Sequence, residues 1–156
     1  MNPEGRDLTR ADISFDVDGM LGRLAKWLRI LGFDADFPCP SPSEGRLFVT
    51  MKKAARFSSA ITITATDLES QLEELFEQTK ILPDPDLFLS RCLVCNIPVT
   101  EIPKESVSGK VPRPVFEMIS VFNECPRCRR IYWEGSHGTR IKSRLEKIRT
   151  GASPRR

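Results

Sequence analysis

Ile13-Ser14-Phe15-Asp16-Val17-Asp18-Gly19-Met20-Leu21-Gly22-Arg23-Leu24-Ala25-Lys26-Trp27-Leu28-Arg29-Ile30-Leu31-Gly32 is the stretch that decides the fold. Its first five residues alternate apolar and polar side chains, the period of a half-buried strand. Asp18-Gly19 breaks the alternation. From Met20 to Leu31 the period lengthens: Met20, Leu24, Trp27, Leu28 and Leu31 share one side of a helical wheel, and Arg23, Lys26 and Arg29 share the other. Gly32 stands where a helix end favours a left-handed residue. The unit reads as strand, acid, helix.

Outward from it, Arg46 to Thr50 predicts a second strand, followed by a short helix around Lys52 to Arg56. Ala60 to Ala65 alternates again and predicts a third. Thr66 and Glu69 form a capping-box pair ahead of a helix carrying Leu68, Leu72, Leu75 and Phe76. Strands alternating with helices argue for a parallel sheet in an α/β layer fold. Ile81 to Asp86, with Pro83 and Pro85, reads as a linker, which puts a domain boundary near Phe88. The expected division is an α/β domain over 11–87, a metal-stapled module over 88–140, and a basic, disordered tail over 141–156.

The chain has 156 residues, 40% of them hydrophobic and 29% charged, the make-up of a soluble globular protein. No stretch approaches the roughly 20 apolar residues of a membrane span. Met1 to Arg10 lacks the apolar centre of a signal peptide. The expectation is a cytoplasmic protein with reduced thiols, whose Cys-x-x-Cys pairs serve a metal rather than disulfides. The net charge of +3 hides an asymmetry. From Arg129 onward nine Lys or Arg face two Glu, whereas residues 1–128 carry 15 basic and 19 acidic side chains. An acidic body with a basic end suits a polyanionic partner, and it equally describes a solvated tail.

Cys92-Leu93-Val94-Cys95 and Cys125-Pro126-Arg127-Cys128 each put two thiols on one tight turn. Two such turns face to face supply four soft ligands in a tetrahedral array. That suits structural Zn²⁺ better than an iron–sulfur centre. The 29 residues between the pairs exceed the spacing of a short ribbon, so an insertion is expected, with a helix near Val115 to Val121. Cys39 belongs to no such motif and reads as an ordinary core or loop thiol. His137, the only histidine, is not required as a ligand.

In parallel sheets, reactive groups gather beyond the carboxyl ends of the strands. Asp18 takes such a place, and a plain helix cap is its competing role.

Phe15 to Asp34 resembles the opening of the Mut-seven C-terminal RNase domain family, and Glu44-Gly45-Arg46-Leu47-Phe48-Val49-Thr50 resembles its second strand. Arg91-Cys92-Leu93-Val94-Cys95-Asn96, Cys125-Pro126-Arg127-Cys128 and Ile131-Tyr132-Trp133-Glu134-Gly135-Ser136-His137 resemble its zinc ribbon. The resemblance implies a PIN-like parallel sheet flanked by helices, followed by a small zinc-ribbon module, and a metal-dependent ribonuclease activity. Nucleases of this kind cluster carboxylates around Mg²⁺ or Mn²⁺. Asp18 matches the first acid of the family set and is the one catalytic candidate. Where the family places acids on a helix ahead of the second strand, this chain has only Ala35 to Ser43, short and rich in Pro. Where the family has Thr-Arg-Asp after that strand, this chain has Thr50-Met51-Lys52. Asp67 is a further acid on the same edge, placed at a helix start. The α/β half is thus expected to be a shortened PIN-like domain with most of its acids missing, and Mg²⁺ or Mn²⁺ belongs there only if catalysis survives.

Two basic surfaces are candidates for RNA. Arg23, Lys26 and Arg29 project from the first helix, and Arg127, Arg129, Arg130 and Arg140 surround Tyr132 and Trp133. Cations neutralise phosphates and exposed aromatics stack on unpaired bases. The plainer role for the two aromatics is to pack the small ribbon core. Three functions fit: an RNA-directed protein of the ribonuclease-family type with catalysis weakened or lost, an active ribonuclease using Asp18 with relocated carboxylates, and an adapter docking proteins through its ribbon. The sequence names no protein partner.

Overall fold

Strand β1 (Ser14–Val17) turns Phe15 and Val17 into an apolar core and Asp16 to the opposite face of the sheet, and all three are buried. In the computed structural model, which describes residues 13–53, 57 and 60–149, β1 is central. It pairs in parallel with β2 (Asp34–Asp36) on one side and β3 (Leu47–Thr50) on the other, and β3 pairs in parallel with β4 (Ala60–Thr62). Helix α1 (Gly22–Ile30) links β1 to β2, and α2 (Leu68–Thr79) follows β4. The core joins Phe15, Val17 and Val49 of the sheet with Leu24 and Leu28 of α1 and Leu72 and Leu75 of α2. This is the expected parallel sheet flanked by helices.

Helix α1 ends in two linked hydrogen bonds, Gly32 N–H to Arg29 O at 3.0 Å and Phe33 N–H to Leu28 O at 2.9 Å. That closure needs a left-handed residue, and Gly32 has φ +89°. A Cβ there would lie 2.4 Å from the carbonyl oxygen of Leu87, so glycine is required twice over.

Several local expectations shift. Gly19–Leu21 is a 3-10 turn, which changes the helical register and leaves Met20 63% exposed instead of on the apolar face. Strand β2 was not foreseen. β4 stops at Thr62 because the Glu74 carboxylate takes the N–H groups of Thr64 and Ala65. The cap of α2 is Asp67, accepting from Ser70 N–H at 3.0 Å, and not Thr66. That hydrogen bond holds the Asp67 carboxyl below the usual range. Of the short helix expected around Lys52 to Arg56, Lys52 lies in a bend and residues 54–56 lie outside the described residues.

Past the first cysteine pair, β5 (Thr100–Ile102), β6 (Phe122–Glu124) and β7 (Ile131–Tyr132) form a second, antiparallel sheet. The insertion carries α3 (Arg113–Met118), near the expected position. The basic end is not a disordered tail from residue 141: Ser136–Arg149 is helix α4. Leu145, 3% exposed, enters the α/β core, with Ile141 and Ile148 against it. Spacings of four and three residues put these side chains on one face, and burying the leucine alone is worth about 1.5–3 kcal/mol. Residues 151–156 lie outside the described residues. Among the described residues no helix is long and apolar enough to cross a membrane.

Candidate metal centre and nucleic-acid interface

The two cysteine turns are built alike. Asn96 N–H bonds Cys92 O at 3.0 Å and Cys92 N–H bonds Ile97 O at 2.8 Å, while Arg129 N–H bonds Cys125 O at 3.0 Å and Cys125 N–H bonds Arg130 O at 2.9 Å. Asn96 and Arg129 both adopt left-handed backbone, with φ 57° and 64°. The Sγ atoms of Cys92, Cys95, Cys125 and Cys128 all lie within 4.8 Å of one another. Four converging soft donors fit a closed tetrahedral site of the zinc-ribbon type.

Tyr132 supports this centre. Its hydroxyl accepts Leu93 N–H at 3.1 Å, and with Cys92 as the thiolate a metal requires, it donates its proton to Cys92 Sγ, also at 3.1 Å. Burial opposes the Cys92 thiolate, but hydrogen bonds from Tyr132 and the amides of Cys95 and Val94 bring its pKa down to about 6. Burial and the neighbouring thiols push Cys95 up to about 12. Each negative charge in the cluster makes the next costlier, and a bound dication removes that penalty.

The ribbon is locked to the sheet edge by side chains that sequence reasoning missed or misread. Arg29 is not a solvent-facing cation. Its Nε donates to Ala35 O at 2.9 Å and its Nη1 to Leu93 O at 2.8 Å. Asn96, buried behind the first cysteine turn, accepts Ala35 N–H at 3.1 Å and donates to Asp34 at 2.8 Å and Asp36 at 3.0 Å. Arg46 spans the same edge, with Nε 2.6 Å from Asp16 Oδ1 and Nη2 2.9 Å from Asp34 Oδ1. The Arg46 hydrogen bond holds Asp34 below the usual carboxylate range against its burial. Burial raises Asp16, but Ser43 and Arg46 more than offset it and the net shift is downward. Three acids beside an apolar strand call for a buried cation, and that was the signal for Arg46.

Strand order reverses between β1 and β3, because β1 leads to β2 on one side while β3 leads to β4 on the other. Ligands of open parallel sheets bind at such a point, beyond the carboxyl ends of the strands. Asp18 sits there, 6% exposed, with its N–H on Val49 O at 2.9 Å. Its side chain makes no helix-cap hydrogen bond, so the capping role does not hold. Instead it accepts from Thr50 Oγ1 at 2.7 Å, and the Lys52 ammonium lies 3.7 Å away. The other acids of the sheet and of the start of α2 are engaged elsewhere: Asp16 with Arg46, Asp36 with Asn96, and Asp67 with Ser70 N–H. Among the described residues, the four cysteines form the only group of three or more metal-type ligands. Mg²⁺ and Mn²⁺ want several hard oxygens, and one carboxylate with a hydroxyl and an ammonium does not fit them.

A groove of about 640 Å³ lies between α1 and the ribbon, lined by Lys26, Leu93, Val94, Lys110, Arg129, Arg130, Ile131, Tyr132 and Trp133. Five of the RNA-binding candidates, Lys26, Arg129, Arg130, Tyr132 and Trp133, meet here, and Lys110 joins them from the insertion. Arg129 is paired with Glu124 at 2.8 Å. Trp133 packs 6.2 Å from Phe122 at a tilt of 59°. Arg23 and Arg127 are exposed outside this lining, and Arg140 borders a smaller depression with Arg144 on α4.

Fold and site together define an α/β protein with a carboxyl-terminal four-cysteine metal ribbon. The chain matches the Mut7-C RNAse domain over residues 13–145 and belongs to that family. No curated protein and no solved structure matches it.

Proposed function

We propose that this is an RNA-directed, cytoplasmic member of its family in which phosphodiester cleavage is weakened or lost and structural Zn²⁺ holds the ribbon. The observation that carries the reading is the company of Asp18. At the place where a metal-dependent nuclease needs a second carboxylate, Asp18 meets a hydroxyl and a cation. The family supplies the connection to RNA, and the groove beside the ribbon supplies cations and aromatics suited to it. Four sulfurs within 4.8 Å of one another favour zinc. The chain divides near Phe88 into a shortened PIN-like half and a ribbon, with α4 returning to the first.

A titration of labelled single-stranded RNA with and without Mn²⁺ tests the reading. Binding without cleavage is expected. Cleavage that disappears in Asp18→Asn would favour the active ribonuclease with relocated carboxylates, and neither binding nor cleavage would favour an adapter docking through its ribbon.

A further inference from the structure

We infer that the groove between α1 and the ribbon takes one or two unpaired nucleotides of a single RNA strand, with a base against Trp133 and phosphates on Lys26, Lys110 and Arg130. This rests on the RNA-directed reading and adds to it the strand state and the side chains that recognise it.

The charge of the groove is one-sided. Among the described residues no carboxylate contributes to the lining. Lys26, Lys110 and Arg130 are exposed, and among the described residues none of them has an ion-pair partner. They come from α1, the insertion and the second cysteine turn, so they converge on one space from three segments. Arg129 adds less, because Glu124 already neutralises it.

The aromatics divide their work. Tyr132 has its hydroxyl committed to Cys92 and Leu93, which holds its ring as a wall of the metal centre. Among the described residues Trp133 has no such tie, and its contact with Phe122 sets the ring's orientation before anything binds. With Val94 beside it, 56% exposed, it offers an apolar surface next to the three cations. Cations alone would suit any polyanion, but cations around an aromatic ring suit a nucleotide.

Size and access decide the strand state. About 640 Å³ holds a nucleotide or two. In a duplex the base faces are stacked within the helix, so Trp133 reaches one only when it is unpaired. Three phosphate contacts to a single strand imply a slope of log affinity against log salt of about −2.

The test uses the full zinc-loaded chain and compares a labelled single-stranded oligouridine with an RNA duplex of similar length by fluorescence anisotropy. Binding to the duplex should be weaker by about tenfold or more, with its bases unavailable for stacking. Trp133→Ala should weaken single-strand binding by roughly 5- to 150-fold, the range of base–aromatic stacking, and Trp133→Phe by less. Lys110→Glu should weaken it and flatten the salt slope. If Trp133→Ala loses its zinc, Lys110→Glu and Lys26→Glu decide, since both side chains are exposed. Equal affinity for duplex, unchanged binding in the lysine variants, or equally strong competition by polyglutamate overturns the groove assignment and leaves RNA binding by the protein intact. Absence of binding to either RNA overturns both.

Discussion

Arg46 is the residue on which the sheet edge depends, and Arg46→Ala should destabilise the protein by about 3–5 kcal/mol, the usual cost of removing one partner of a buried ion pair. Its guanidinium meets Asp16 at 2.6 Å, Asp34 at 2.9 Å and 3.1 Å, and the carbonyl of Phe15 at 2.7 Å. After the substitution Asp16, whose side chain is 1% exposed, keeps its hydrogen bonding to Ser43, whose N–H lies 2.7 Å away, but loses the cation. An uncompensated buried carboxylate is the main source of the loss. For a chain of this size the loss corresponds to a melting temperature lower by about 6–20 °C. The assay is urea unfolding of the zinc-loaded protein at neutral pH, in a cycle with Asp16→Asn. With the carboxylate neutralised, Arg46→Ala should cost less by about 0.5–3 kcal/mol. The pH dependence follows from the downward shifts of Asp16 and Asp34. Their contribution is complete above the ordinary value of 3.8 and is lost as pH falls through the lower folded values. In Arg46→Ala the Asp16 and Asp34 carboxyls are no longer held down by the guanidinium, so this acid-dependent loss should shrink and the variant's deficit against wild type should narrow as pH falls through that range. A loss below about 1 kcal/mol, or the same loss with Asp16→Asn present, would refute the reasoning.

Two further changes probe the ribbon and the returning helix. Tyr132→Phe keeps the ring but removes the proton donated to Cys92, and should weaken zinc affinity by about 10–100-fold in competition with a chelator. Leu145→Ala should cost about 2–5 kcal/mol in the unfolding of the α/β core, whereas a disordered tail would give no change.

The features carried by local chemistry were legible in the sequence. The four cysteines declare themselves by spacing, and the alternation into Asp18 followed by a helical period places the central strand and its neighbour. Long-range features were not. Strand β2 is the three residues Asp34-Ala35-Asp36, too short and too acidic to show a period, and it is held as a strand by pairing with β1 and by Asn96 and Arg46. α4 was hidden because Ile141, Leu145 and Ile148 stand among basic residues whose charge resembles a solvated tail. Arg29 has the helical phase of a surface residue, and only the ribbon folding back onto α1 turns it inward. Asp18 had two local roles open to it, and Thr50 and Lys52, more than 30 residues away, decided between them.

The central claim, that an RNA-directed fold has outlived its cleavage chemistry, is tested most directly by one rate. Single-turnover cleavage of labelled single-stranded RNA is measured with Mn²⁺ and excess zinc-loaded protein, wild type and Asp18→Asn side by side. Metal-dependent nucleases draw several kcal/mol of transition-state stabilisation from the ion, so a site that cannot hold it loses orders of magnitude in rate. The account predicts that RNA is bound and that both proteins cleave it no faster than the protein-free control. Mn²⁺-dependent cleavage by the wild type that vanishes in Asp18→Asn would contradict it.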